Sequence, residues 1–200
     1  ALKQDGPIRL LHPQIEQIAK THNVTAMLWQ LTSPDRAMVV DLAEASTPLR
    51  VQFTVGQRLP SLIGALGRCF AGHLNLSKAE VKVMFKELRW QNAPTFEQYW
   101  SDVEEARRTG FAVDIGRYNR NFTTVAAPIL TSSGEATMAI SAITFSGDLD
   151  RPRMLRLAAD LKRVTGEASN ALGYSGSPTG AKAAGRGNTA FRKQRTTTAP

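Results

Sequence analysis

Twice along this chain, three strand-length apolar segments follow one another, and helical patterns separate and flank the two triplets. No other feature narrows the fold as much. The first triplet opens with Val24 to Leu31 (VTAMLWQL), apolar throughout, which reads as a buried strand. SPDR at 33–36 is a turn with proline in its second position, and Ala37 to Leu42 completes a hairpin. Leu49 to Val55 (LRVQFTV) alternates and supplies the third strand. The second triplet is Phe111 to Ile115, Phe122 to Leu130 and Ala136 to Phe145, the last two joined by the turn TSSGE.

Helical spacing fills the rest. Leu10 to Asn23 places Leu11, Ile15, Ile18 and Ala19 on one face. In GQRLPSLIGALGRCFAGHL, from Gly56 to Leu74, a helix starts near Pro60 or Ser61 with Leu62, Ala65, Leu66, Cys69, Phe70 and His73 at its spacing. Gly64, Gly67 and Gly72 interrupt it, each at about 1 kcal/mol relative to alanine. Three glycines in one short helix predict close approach of its backbone to a neighbouring element or a ligand. Ser77 to Glu80 and Thr95 to Gln98 are capping boxes. The helices they open turn Val81, Phe85 and Leu88, and Phe96, Tyr99, Trp100 and Val103, inward; the second stops at Gly110. Asp150 caps a closing helix carrying Leu157, Leu161, Val164 and Ala168, with Gly173 past its end. The order is helix, three strands, three helices, three strands, helix. It predicts an α+β domain: one six-stranded, mainly antiparallel sheet flanked by helices.

With 200 residues, 42% of them hydrophobic, the chain can bury one sizeable core. Its single cysteine, Cys69, excludes an intramolecular disulfide framework and fits a reducing compartment. No apolar run approaches the roughly 20 residues a membrane span needs, and no signal-peptide pattern opens the chain. A cytoplasmic protein with no membrane partner is expected. A net charge of +8 and a pI near 10.1 invite a nucleic-acid reading, but the charge is unevenly placed. Lys182, Arg186, Arg192, Lys193 and Arg195 stand in a stretch from Gly173 onward that has no acidic residue. Without those five, 20 basic residues face 17 acidic ones, a net of +3. That stretch is rich in Gly, Ser, Thr, Pro and Ala, so residues 173–200 are expected to be a disordered basic tail. It is either a solvated extension or a weak phosphate-contacting arm.

Catalytic signatures are lacking. There is no G-x-S-x-G elbow, P-loop, G-x-G-x-x-G after a strand, or H-E-x-x-H. Cys69 and His73, four apart on one helix, have the spacing of a metal-ligand or nucleophile pair, and equally of two packed core residues. His12 and His22 lie far from them in sequence. Glu104 and Glu105 are adjacent and diverge around their helix. No catalytic residue, metal or cofactor is expected, which leaves a binding module.

Two segments carry a family likeness. GQRLPSLIGALGRCFAG resembles a motif of glycine, basic residue and Leu-Pro followed by a small-residue helix. GFAVDIGRYNRNFTTVAAPILTSSGEATMAISAITFSG resembles its partner: Gly-aromatic-x-x-Asp, a variable loop, Ala-Ala-Pro-Ile, a glycine turn and an Ala-Ile-Ser strand. Together they resemble the effector-binding domain of the IclR (isocitrate lyase regulator) family of bacterial transcription regulators, a profilin/GAF-like fold. The likeness runs from about Leu10 to Leu172, with residues 1–9 as a linker remnant.

The resemblance implies a domain that binds a small organic acid and thereby changes DNA affinity. DNA would be contacted only through an N-terminal winged helix-turn-helix, for which there is no room before Leu10; its removal is the simpler expectation, since an isolated sensor lacks an output. It also implies a homodimer or tetramer. By matching positions, Leu59 is an apolar wall, and Ala65 and Leu66 offer backbone N–H groups to the effector carboxylate. Asp114 is the acidic pocket residue, and Phe122, Thr124, Ser141 and Ile143 point inward from the next two strands. The sequence departs from the pattern after Asp114, where IGRYNR replaces acidic residues, at Asn121 in place of a glycine, and at Ile143 in place of a polar residue. Two other classes stay open: an enzyme using Cys69 or Asp114 on a small substrate, and a dimerisation module with a vestigial pocket.

Overall fold

The computed structural model describes residues 5–176. Residues 1–4 of the expected linker, and the basic tail from 177 to 200, lie outside the described residues. Helix α1 (Asp5–His22) is followed by β1 (Thr25–Ser33), β2 (Arg36–Glu44) and β3 (Arg58–Pro60). Three helices come next: α2 (Gly64–His73), α3 (Lys78–Lys86) and α4 (Phe96–Thr109). Then follow β4 (Ala112–Ile115), β5 (Phe122–Leu130), β6 (Ala136–Phe145) and α5 (Arg151–Ala171).

Six strands form one sheet in the order β3-β2-β1-β6-β5-β4, and every neighbouring pair is antiparallel. Each triplet is a meander, and the pairing of β1 with β6 welds the two together. The strands β1, β5 and β6 bury both faces, so helices must cover both sides. On one face α1 and α5 pack Leu11, Ile15, Ile18, Leu157, Leu161 and Val164 against Ala26, Leu28, Val125, Ile140 and Ala142. Fully buried leucines and isoleucines of this kind stabilise the fold by about 1.5–3 kcal/mol each. On the other face α2 packs Leu66 and Phe70 against Met27, Trp29, Ala139 and Ile143, and α4 lays Tyr99 and Val103 over α2.

Three boundaries differ from expectation. Helix α1 starts at Asp5 rather than Leu10, ahead of the first periodic apolar residue. Helix α2 starts at Gly64, because Pro60 and Ser61 are spent on β3 and on bonds to the β1–β2 turn. The larger correction concerns Leu49 to Val55, which is not a strand; Arg58–Pro60 pairs with β2 instead. The alternation there is real, since Val51 is buried and Phe53 meets Trp29 edge-on at 6.0 Å. Burying every second side chain does not require a ladder. Both capping boxes form as the sequence predicts, at Ser77/Glu80 and Thr95/Gln98, and Gly110 ends α4 in the left-handed conformation.

Candidate functional site

Helix α2 begins without a cap. Ile63 occupies the N-cap position in extended conformation, has no side-chain acceptor to offer, and no acidic residue stands in the first turn. The first intrahelical bond runs from Gly67 N to the Ile63 carbonyl at 2.8 Å. The amides of Gly64, Ala65 and Leu66 therefore precede the helical ladder, and all three residues are buried. Such a terminus carries partial positive charge and favours an anion. The glycines make the approach possible. Gly64 has φ +61°, and a Cβ there would stand 3.3 Å from Asp114 Oδ2. A Cβ on Gly67 would lie 1.9 Å from the Leu62 carbonyl carbon, so the segment entering α2 folds back onto its first turn.

The sheet opposite presents two registered rows. Asp114 pairs with Thr124, Thr124 with Ile143, and Ile143 with Thr25. In the next row Ala112, Ala126, Ser141 and Met27 stand side by side. Paired residues share a face, so Asp114, Thr124, Ser141 and Ile143 all look toward α2. Phe122 continues that face at the strand end, its ring 5.6 Å from Phe145. The Ser141 hydroxyl accepts a bond from Trp29 Nε1 at 2.8 Å.

Asp114 is 4% exposed, so its side chain faces the interior and not water. Its carboxylate accepts from the amides of Arg117 and Tyr118, each at 3.1 Å. The loop that supplies them is pinned by main-chain bonds. Gln91 N donates to the Tyr118 carbonyl at 3.2 Å and Asn92 N to the Arg117 carbonyl at 3.0 Å. Arg120 N donates to Gln91 Oε1 at 2.9 Å. Behind Asp114 lies Arg68, 2% exposed, whose Nε donates to Asp102 Oδ2 at 3.0 Å. Its guanidinium carbon sits 5.6 Å from the Tyr99 ring centre and 5.9 Å from that of Trp90. Nη1 of Arg68 is 3.9 Å from Asp114 Oδ2 and has no hydrogen-bond partner.

The family model described as bacterial transcriptional regulator IclR C-terminal matches residues 1–170. This chain belongs to the IclR family. Solved structures share the fold of this IclR domain. An IclR regulator from Alicyclobacillus acidocaldarius has a TM-score of 0.75 at 22% identity, over 84% of this chain and 68% of that one. The Thermotoga maritima IclR gives 0.74 at 18%, over 86% and 71%. The C-terminal domain of E. coli KdgR gives 0.67 at 17%, over 84% of this chain and 99% of that one. No curated protein matches in sequence.

Within the IclR domain, the residues expected at the site fall into two groups. Ala65, Leu66, Asp114, Ser141 and Ile143 converge between α2 and the sheet, each 5% exposed or less, with Thr124 and Phe122 half-buried beside them. Leu59 lies on β3 at the opposite sheet edge from β4, tied to the site through Pro60–Ile63. A groove of about 520 Å³ opens elsewhere, along His22, Asn23, Thr47–Leu49, Thr144 and Asp148. Sequence reasoning passed over Arg68 and Trp90. The signal was present for Arg68, a lone charge in GALGRCFAG, an otherwise apolar and small-residue helix.

Cys69 and His73 form no nucleophile pair. The thiol is buried against the Ala126 carbonyl at 3.4 Å, and burial pushes its pKa up to about 12. The His73 ring turns the other way, donating from Nδ1 to the Cys69 carbonyl at 2.9 Å. A thiol held protonated is a poor nucleophile and a poor ligand. Among the described residues no group of three or more His, Cys, Asp or Glu side chains is arranged to hold a metal, and no helix is long and apolar enough to cross a membrane.

Proposed function

We propose that this IclR domain binds a small organic acid between α2 and the sheet, and that binding changes the DNA affinity of a regulator. One observation carries the reading: the uncapped start of α2, where the buried amides of Gly64, Ala65 and Leu66 precede the ladder with no side-chain cap. The carboxylate would take the amides of Ala65 and Leu66. Asp114, Thr124 and Ser141 would bond its other polar groups, and Leu59, Leu66, Phe122 and Ile143 would exclude water. Entry requires the loop over Asp114 to open, since the residues beneath it are closed off. The effector then shifts the population between domain arrangements by its difference in affinity for them. Assembly as a homodimer or tetramer, and DNA contact through a separate N-terminal reader, belong to the same proposal.

A second reading draws on the Trp29–Ser141 bond and the packed state of Ile143 and Leu66: a dimerisation module whose pocket is closed for good. A thermal-shift panel of keto, hydroxy and aromatic acids separates the two. Binding at a hundred times Kd stabilises a domain by about 2.7 kcal/mol, so Tm rises with concentration under the sensing reading. An unchanged Tm across the panel supports the closed module.

A further inference from the structure

Arg68 Nη1 and Trp90 Nε1 are both buried without a hydrogen-bond partner. They belong to one cluster, since the guanidinium carbon lies 5.9 Å from the Trp90 ring centre and Trp90 meets Tyr99 edge-on. Native interiors rarely leave such donors unpaired, and two in one cluster mark a place where an acceptor belongs. Beside Arg68, Asp114 offers the opposite deficit. Its carboxylate only accepts, and two amide bonds leave acceptor capacity over.

We infer that the ligand of this site is a 2-hydroxy carboxylic acid, its hydroxyl accepting from Arg68 and Trp90 while donating to Asp114. The inference rests on the reading of α2 as the carboxylate site. A hydroxyl answers both needs at a single atom, because it donates one hydrogen bond and accepts others. A carbonyl would satisfy the donors and leave Asp114 nothing. A second carboxylate would add a third negative charge around Arg68, which already faces Asp102 and Asp114. Geometry sets the position of the hydroxyl. Arg68 stands one turn along α2 from Gly64, and helical side chains lean back toward the N-terminus. Asp114 Oδ2 bridges the two, 3.9 Å from Nη1 and 3.3 Å from where a Cβ of Gly64 would be. The hydroxyl therefore lies close to the carboxylate that the amides hold, on the adjacent carbon.

Titration calorimetry of the full chain with two matched trios tests this. Lactate, pyruvate and propionate differ only at the second carbon, as do mandelate, phenylglyoxylate and phenylacetate. The hydroxy member of at least one trio is expected to bind about tenfold or more tighter than both its partners. Equal Kd values within each trio, the result if only a buried water bridges these groups, overturn this inference and leave the carboxylate reading standing. No binding by any of the six overturns both. Arg68→Lys and the milder Trp90→Phe, which keeps a ring and removes Nε1, should each shrink the hydroxyl preference while propionate or phenylacetate affinity holds. A wild-type preference in a folded variant of either overturns the assigned contact.

Discussion

Asp114 holds the loop after it and faces Arg68, so its role in the apo fold can be separated from any role with a ligand. Asp114→Ala frees the Arg117 and Tyr118 amides and removes a carboxylate that stands 3.9 Å from a buried guanidinium. A loss of about 3 kcal/mol in urea denaturation is expected, and a loss under about 0.5 kcal/mol would show that the contacts are incidental. Ser141→Ala strands Trp29 Nε1 and should cost about 1–3 kcal/mol. His73 gives a pH signature. Burial lowers its pKa below the ordinary 6.5, so the folded chain resists a proton that the unfolded chain accepts. Its contribution is full above pH 6.5 and is lost as pH falls through the lowered value. His73→Gln should flatten the Tm curve between pH 6.5 and the lowered value; an identical curve would place the dependence elsewhere. Asp114 was only partly legible in sequence. The family likeness marked it as the acidic pocket residue, while its burial depends on α2, fifty residues earlier, arriving over it.

At the level of elements, α2 organises the site, and its glycines are its most testable feature. Gly67→Ala would drive a methyl into the Leu62 carbonyl, with an expected cost of about 3 kcal/mol. Gly166→Ala in α5 meets nothing within 4 Å and should stabilise by about 0.5–1 kcal/mol. Equal effects of the two would remove the argument from close approach. The capping boxes of α3 and α4 and the hairpin of β5 and β6 were legible because each is specified by neighbours in sequence: cap to third residue, strand to turn to strand. Leu49 to Val55 misled because alternation reports burial of one face, whereas a strand needs a partner edge. Arg58–Pro60 had taken the edge of β2. Arg68 and Trp90 were missed because their significance is relational, an orphan donor beside an aromatic ring and a carboxylate from two other segments.

For the whole molecule, the sequence order of elements was enough to predict an α+β domain with one antiparallel sheet, and the two family motifs gave its kinship. What no local pattern could show is the seam: β1 meets β6, more than a hundred residues later, and so brings the Met27 and Thr25 positions level with Ser141 and Ile143. The site is thus a product of sheet closure, with α2 laid across the second triplet. The excess charge lies mostly in 177–200, so neutralising Lys182, Arg186, Arg192, Lys193 and Arg195 together should leave acid affinity unchanged, and a fall in affinity would tie the tail to the site. The central claim concerns three amides. In an amide NMR titration with the tightest-binding acid of the panel, the cross-peaks of Gly64, Ala65 and Leu66 should move and saturate together, while that of Gly166 in α5 stays put. Saturable binding with those three peaks unmoved would contradict the account.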